Sequence, residues 1–189
     1  SSSVYGIKKE SNVTEDLLLE PLTIYSKTKA EAEKVILEQI SDDFCPVCIR
    51  SATVCGYSPR LRLDVIVNIL ASRAITKGEI IVNGGQQKRP NIHIDDITDL
   101  YSDLLVVSKE KIAGEIFNYG GKNHTADELA EIVKKVVGEH VKIEKRPPTE
   151  DSRSYSISSE KIKRNLGFYP KKTIEDAVLD LKRAFDNGL

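Results

Sequence analysis

Methionine is absent from this chain of 189 residues, so it carries no initiating residue. Also missing is any G-x-G-x-x-G or G-x-x-G-x-x-G. Glycines stand side by side only at Gly84-Gly85 and Gly120-Gly121, and neither pair opens a helix in the pattern that cradles a dinucleotide pyrophosphate. No apolar run approaches the ~20 residues of a membrane span, and there is no secretory signal. No membrane partner is expected, and the expected location is cytoplasmic. A basic stripe is lacking too: 28 Lys and Arg against 29 Asp and Glu leave a formal net charge of −1. The signs alternate along the chain, the pattern of solvated helix faces, so nucleic acid is not expected as a partner. Cysteine is scarce, at three residues. Cys45-Pro-Val-Cys48 has the spacing of a zinc or redox pair. Zinc would need further ligands from Cys55 and scattered histidines. A redox pair would open a helix, whereas Ile49 to Val54 reads as a strand. Three reduced, mostly buried thiols and no metal are the expectation.

What is present is a mixture of short strands and helices, hence an α/β fold. The opening Ser1-Ser-Ser-Val-Tyr-Gly6 reads as the end of a buried strand entering a loop. Pro21 makes residues 7–23 a loop. Thr23 can cap a helix running to about Ile40, with Ala30, Ala32, Val35, Ile36 and Ile40 as its apolar face. Phe44 to Val54 reads as one strand. Residues 62–76 repeat apolar positions at helical spacing, and Glu79–Val82 and Asn91–Ile94 are short strands. Asp95 or Asp96 can cap the next helix, with Leu100, Leu104 and Leu105 inward. Glu115–Tyr119 and Val141–Glu144 are strand-like. Thr125 with Glu128, and Thr173 with Asp176, form capping boxes. Ser158 or Ser159 opens a short helix ending at Gly167. His93 reads as a packed core residue, and His124 and His140 as exposed.

Tyr25-Ser-Lys-Thr-Lys29 begins the first long helix. Tyr25 and Lys29 are four apart and share a face. An ammonium ~4 Å from a phenolate, at an effective dielectric of about 20, is worth roughly 4 kcal/mol. Such a pair can make a phenol a base towards an alcohol.

With SSSVYG placed 24 residues ahead of Tyr25, the set resembles the Ser–Tyr–Lys arrangement of the extended short-chain dehydrogenase/reductases. Within them it is most similar to the nucleotide-sugar epimerases and dehydratases, of the UDP-glucose 4-epimerase kind. Gln87-Lys-Arg-Pro-Asn-Ile-His-Ile-Asp-Asp96 and Glu115-Ile-Phe-Asn-Tyr-Gly-Gly121 follow in the order that resemblance requires. It implies the C-terminal part of a Rossmann-type doubly wound fold plus a small α/β substrate domain. Residues 1–60 would finish the NAD-binding domain. Residues 61–189 would be mainly the substrate domain, with Rossmann strands returning near 91–120. The missing glycine loop then marks the C-terminal portion of a longer enzyme, inactive alone and a poor binder of NAD.

The resemblance also assigns roles. Ser1, Tyr25 and Lys29 are the catalytic set, with NAD (NADP as the alternative) as cofactor. Tyr25, Lys29, Ser51 and Thr53 would contact the cofactor. Ser3, Thr53, Asn68, Arg89 and either Arg146 or Arg153 would contact a nucleoside-diphosphate sugar, since arginine reads phosphate bidentately. A homodimer through helices such as the first is implied. Many dehydratases of the family carry an acidic pair where this chain has Ser2 and Ser3, which favours an epimerase. A 4-keto reductase, a dehydratase and a non-catalytic sugar-nucleotide module stand as alternatives.

Overall fold

The computed structural model describes residues 1–148 and 154–188. Its strands pair mainly in parallel, as α/β crossovers demand. Strand β1 (Cys48–Ser51) pairs with β5 (Ile116–Tyr119), and β2 (Thr53–Cys55) with β4 (Lys88–His93). Strand β3 (Glu79–Asn83) pairs with β7 (Lys142–Arg146), while β6 (Asn123–Thr125) runs antiparallel to β4.

The expected single strand from Phe44 to Val54 is divided. Pro46 offers no N–H, so pairing starts only at Cys48. The Ala52 amide donates to the Tyr119 carbonyl at 2.8 Å, and the chain then changes partner from β5 to β4. The opening serines form a 3₁₀ turn over Ser2–Tyr5 rather than a strand end, with all four of its residues buried.

Helix α1 (Ile24–Leu37) starts where Thr23 was expected to cap it; Thr23 and Ser26 form a reciprocal capping box. It ends before Ile40, because Gln39 and Ile40 bond carbonyls only three residues back. Helix α2 (Ile66–Lys77) begins later than residue 62. The Arg62 carbonyl is taken by the Asn68 side chain at 2.8 Å, which holds residues 62–65 in a turn.

Helix α3 (Ile94–Leu104) is capped by neither aspartate. The His93 side chain accepts from the Asp95 amide, and both aspartates sit in the first turn, where the helix dipole favours them. Leu100 and Leu104 are buried as expected, but Leu105 is 87% exposed, being already past the last turn. Helix α5 (Ala126–Val137) and helix α7 (Ile174–Asp186) carry the two expected capping boxes. Short helices α4 (Lys109–Ile112) and α6 (Glu160–Leu166) complete the set among the described residues, with Ser159 at the N-cap of α6 and Gly167 at its end.

Two apolar cores interleave along the chain. One joins Val67, Leu70 and Ala74 of α2 to Leu129 and Val133 of α5, Val178 and Leu181 of α7, and Ile80 of β3. The other gathers Val4 and Tyr5 with Phe117, Tyr119, Ile92, Leu100 and Ile157.

Within the second core lies a buried polar knot. Arg50 on β1 donates from Nε and Nη2 to both carboxylate oxygens of Glu33 on α1, at 3.0 and 2.7 Å. Its Nη1 reaches the Tyr5 hydroxyl at 2.7 Å and the Glu15 carbonyl at 2.9 Å. Tyr5 in turn donates to Asn118 on β5 at 2.8 Å. The Arg50 and Glu33 side chains are 4% and 12% exposed, so removing one leaves the other buried without its counter-charge. Glu33→Ala is expected to lower unfolding free energy by about 3–5 kcal/mol, read from urea denaturation. Glu38→Ala, which removes the exposed 3.9 Å contact with Lys34, is expected to cost no more than about 1 kcal/mol.

Candidate active site

A cleft of about 1290 Å³ opens between the two cores. The 3₁₀ turn brings Ser1 and Ser3 to its wall, their hydroxyl oxygens 3.0 Å apart. Ser51 and Thr53, at the carboxyl end of β1 and the start of β2, line the same wall, half-buried. That is where open α/β sheets place ligands. Tyr25 reaches the cleft from the first turn of α1 and is 57% exposed. Lys29, one turn on, holds its Nζ 5.6 Å from the centre of the Tyr25 ring, within cation–π range. Lys29 itself is not among the residues that line the cleft.

Asn68 is on the wall but 3% exposed. Its Oδ1 accepts from the Gly56 amide at 3.0 Å, and its Nδ2 donates to the Gly56 and Arg62 carbonyls at 3.3 and 2.8 Å. Its amide therefore fastens the 56–62 loop. Arg89 of β4 and Arg146 of β7 both line the cleft. Arg146 forks onto Glu144, with Nε–Oε1 at 2.7 Å. Arg153 lies outside the described residues.

The wall's charge differs sharply from that of the chain. Arg60, Arg62, Arg73, Arg89 and Arg146 line it against one carboxylate among the described residues, Asp64, although the whole chain is at −1. Arg73 is paired with Glu79. The exposed Arg62–Asp64 pair meets at 2.8 Å. Hydroxyls at one end and guanidinium groups along the wall suit a ligand that is part sugar and part anion.

Residues 1–120 match the family model described as the NAD dependent epimerase/dehydratase family. The chain belongs to that family. Members similar to it include UDP-glucose 4-epimerase of Lactobacillus helveticus, 27% identical over 199 residues that cover 95% of this chain and 60% of the relative. Another is dTDP-glucose 4,6-dehydratase of Escherichia coli, 28% identical over 181 residues, covering 87% of this chain and 48% of the relative. Among solved structures, UDP-glucuronic acid 4-epimerase from Bacillus cereus, in complex with UDP-glucuronic acid and NAD, superposes with a TM-score of 0.84. It is 25% identical, with 99% of this chain and 60% of that one covered. The chain thus spans about half to three-fifths of these relatives' length.

Arg60, Arg62 and Arg73 line the cleft without having been expected there from the sequence. The signal available was Tyr57-Ser-Pro-Arg-Leu-Arg62, two cations directly after a turn at a strand's carboxyl end. His124, expected to be exposed, is 9% exposed, because it sits opposite Arg89 in the β4–β6 ladder. Burial lowers its pKa. His93 is in the core, as expected, at 2% exposure. Its Nδ1 accepts from the Asp95 amide at 3.1 Å, and its Nε2 lies 3.3 Å from Asp180 on α7; it is not among the residues lining the cleft. No helix among the described residues is long and apolar enough to cross a membrane.

All three cysteines are free thiols; Cys55 is buried, while Cys45 and Cys48 are half-buried. Burial, with Asp96 adding to it, pushes the Cys55 thiol up to about 12. Burial, with Glu33 adding to it, also raises the Cys48 thiol. The thiolate is the reacting form, so at pH 8 Cys55 is expected to be labelled only after denaturation and the half-buried Cys48 to be labelled slowly in the native protein. Peptide mapping of the labelled thiols checks this.

Proposed function

We propose that this chain forms the proton-transfer centre and sugar-nucleotide cleft of an NAD-dependent nucleotide-sugar epimerase. One observation carries the reading: Ser1 and Tyr25 face a single cleft, with the Lys29 ammonium beside the tyrosine ring. In this role Tyr25 takes the proton of a sugar hydroxyl, most simply the 4-OH. Ser1 holds that hydroxyl and relays the proton through a hydrogen bond. Lys29 places a positive charge over the phenol ring, 5.6 Å from its centre, which favours the negative charge that develops on the phenol. NAD, when bound, supplies the hydride acceptor and donor. The hydroxyls of Tyr25, Ser51 and Thr53, with the Lys29 ammonium, make a donor set that suits its ribose and carboxamide. The keto sugar then turns over in the cleft and is reduced on its other face, with Tyr25 returning the proton. Arg89 and Arg146 hold the diphosphate.

Ser2 and Ser3 favour epimerisation over dehydration. Loss of water needs a second acid and base beside the first pair, and the cleft's Asp64 is engaged by Arg62. In the NAD-loaded enzyme, Tyr25→Phe is expected to cut turnover by about 10²–10⁴-fold, with far-UV circular dichroism unchanged. Near-normal turnover would refute the role. Stoichiometric consumption of NADPH would instead mark a 4-keto reductase.

The enzyme is proposed to be a homodimer through α1, whose Val35 and Ile36, with nearby Ile40, are 57%, 42% and 47% exposed. Sedimentation is expected to give a dimer, and Ile36→Asp a monomer.

A further inference from the structure

Besides Arg89 on β4, the cleft's arginines fall into two groups. Arg73 and Arg146 sit with Glu79 and Glu144 beside the β3–β7 pair. Arg60 and Arg62 lie on the loop that follows β2. The second group shares the cleft wall with Tyr25, Ser1 and Thr53, and Arg62 pairs with Asp64 at 2.8 Å.

This loop is held in place. Gly56 and Arg62, at its two ends, are both bonded by the buried amide of Asn68. The two arginines are therefore presented at a fixed place instead of hanging from a free surface segment. Their charge is also available. Arg62 and Asp64 are each 69% exposed along their side chains, and such a pair is worth little in water, so a ligand anion can replace Asp64 at small cost. Arg60 makes no ion pair or hydrogen bond among the described residues.

A diphosphate carries two negative charges, and the proposed reading seats it on Arg89 and Arg146. That leaves the Arg60–Arg62 group at the end where the sugar ring is oxidised. We propose that this loop binds an acidic group on the sugar itself, so that the substrate is a nucleoside diphosphate linked to a uronic acid or a comparable anionic sugar. The inference rests on the epimerase reading for the placement of the ring. Neutral hydroxyls of Ser1, Ser3 and Thr53 in the same cleft can share that carboxylate without competing for its charge.

Calorimetry of the chain with UDP-glucuronate and UDP-glucose, with UDP alone as control, tests it. The wild-type chain is expected to bind UDP-glucuronate about tenfold or more tightly than UDP-glucose, the scale of one charge-assisted hydrogen bond. The ratio is expected to shrink with added salt and to collapse towards unity in the Arg60→Ala, Arg62→Ala double variant. Both substitutions are of exposed side chains, and circular dichroism monitors the fold. Equal affinities in the wild type, or a preference that survives the double substitution, overturn the acidic-sugar assignment and leave the epimerase reading standing. Failure to bind either sugar nucleotide or UDP overturns both.

Discussion

The bidentate bond between Arg50 and Glu33 fixes the relation on which the site depends. Serine and tyrosine come from elements with no sequence adjacency: a 3₁₀ turn and the first turn of a helix. The turn is seated in the second core by Val4 and Tyr5, whereas α1 packs too little apolar surface to set its own position. Only Ser26 of α1 is buried. What joins them is a guanidinium in the second core that holds α1 through Glu33 and the 3₁₀ turn through Tyr5. Burial alone would lower the arginine's pKa, but its bonds to Glu33 and Tyr5 hold it above its ordinary value. The charge is thus retained inside the fold, and each of its donors constrains a different segment. A buried ion pair contributes less to net stability than its geometry suggests; here its evident effect is on position.

The same division of labour explains the cleft. Each core is continuous in space but assembled from separated stretches of chain, so its edge combines strand ends and loops with faces of α2 and α3. Backbone polar groups at such an edge need partners. Side chains such as Asn68 provide them internally, which leaves hydroxyls and guanidinium groups free to face the ligand. Charge segregation follows: a chain near neutrality concentrates its arginines where acids are few.

Much of the scaffold was legible in the residues. The capping boxes at Thr125 and Thr173 are local, needing only a hydroxyl and an acid three residues apart, and both appear as read. Likewise Ser1, Ser3, Tyr25, Ser51, Thr53, Arg89 and Arg146, picked from sequence, converge on one cleft. What could not be read was anything decided by partners distant in sequence. His93 displaces two aspartates as the α3 cap because strand pairing delivers its ring there. The strand from Phe44 divides because its pairing passes from β5, which Ala52 still reaches, to β4 from Thr53 on. Arg60 and Arg62 look like ordinary surface cations until an asparagine on α2 pins their loop.

That asparagine belongs to the core opposite the one that carries the tyrosine. The cations' place is therefore set from the far side of the cleft, by an amide that touches neither the serines nor the phenol. Charge and proton transfer are thus anchored in separate cores, so a substitution that loosens one loop leaves the other's geometry standing.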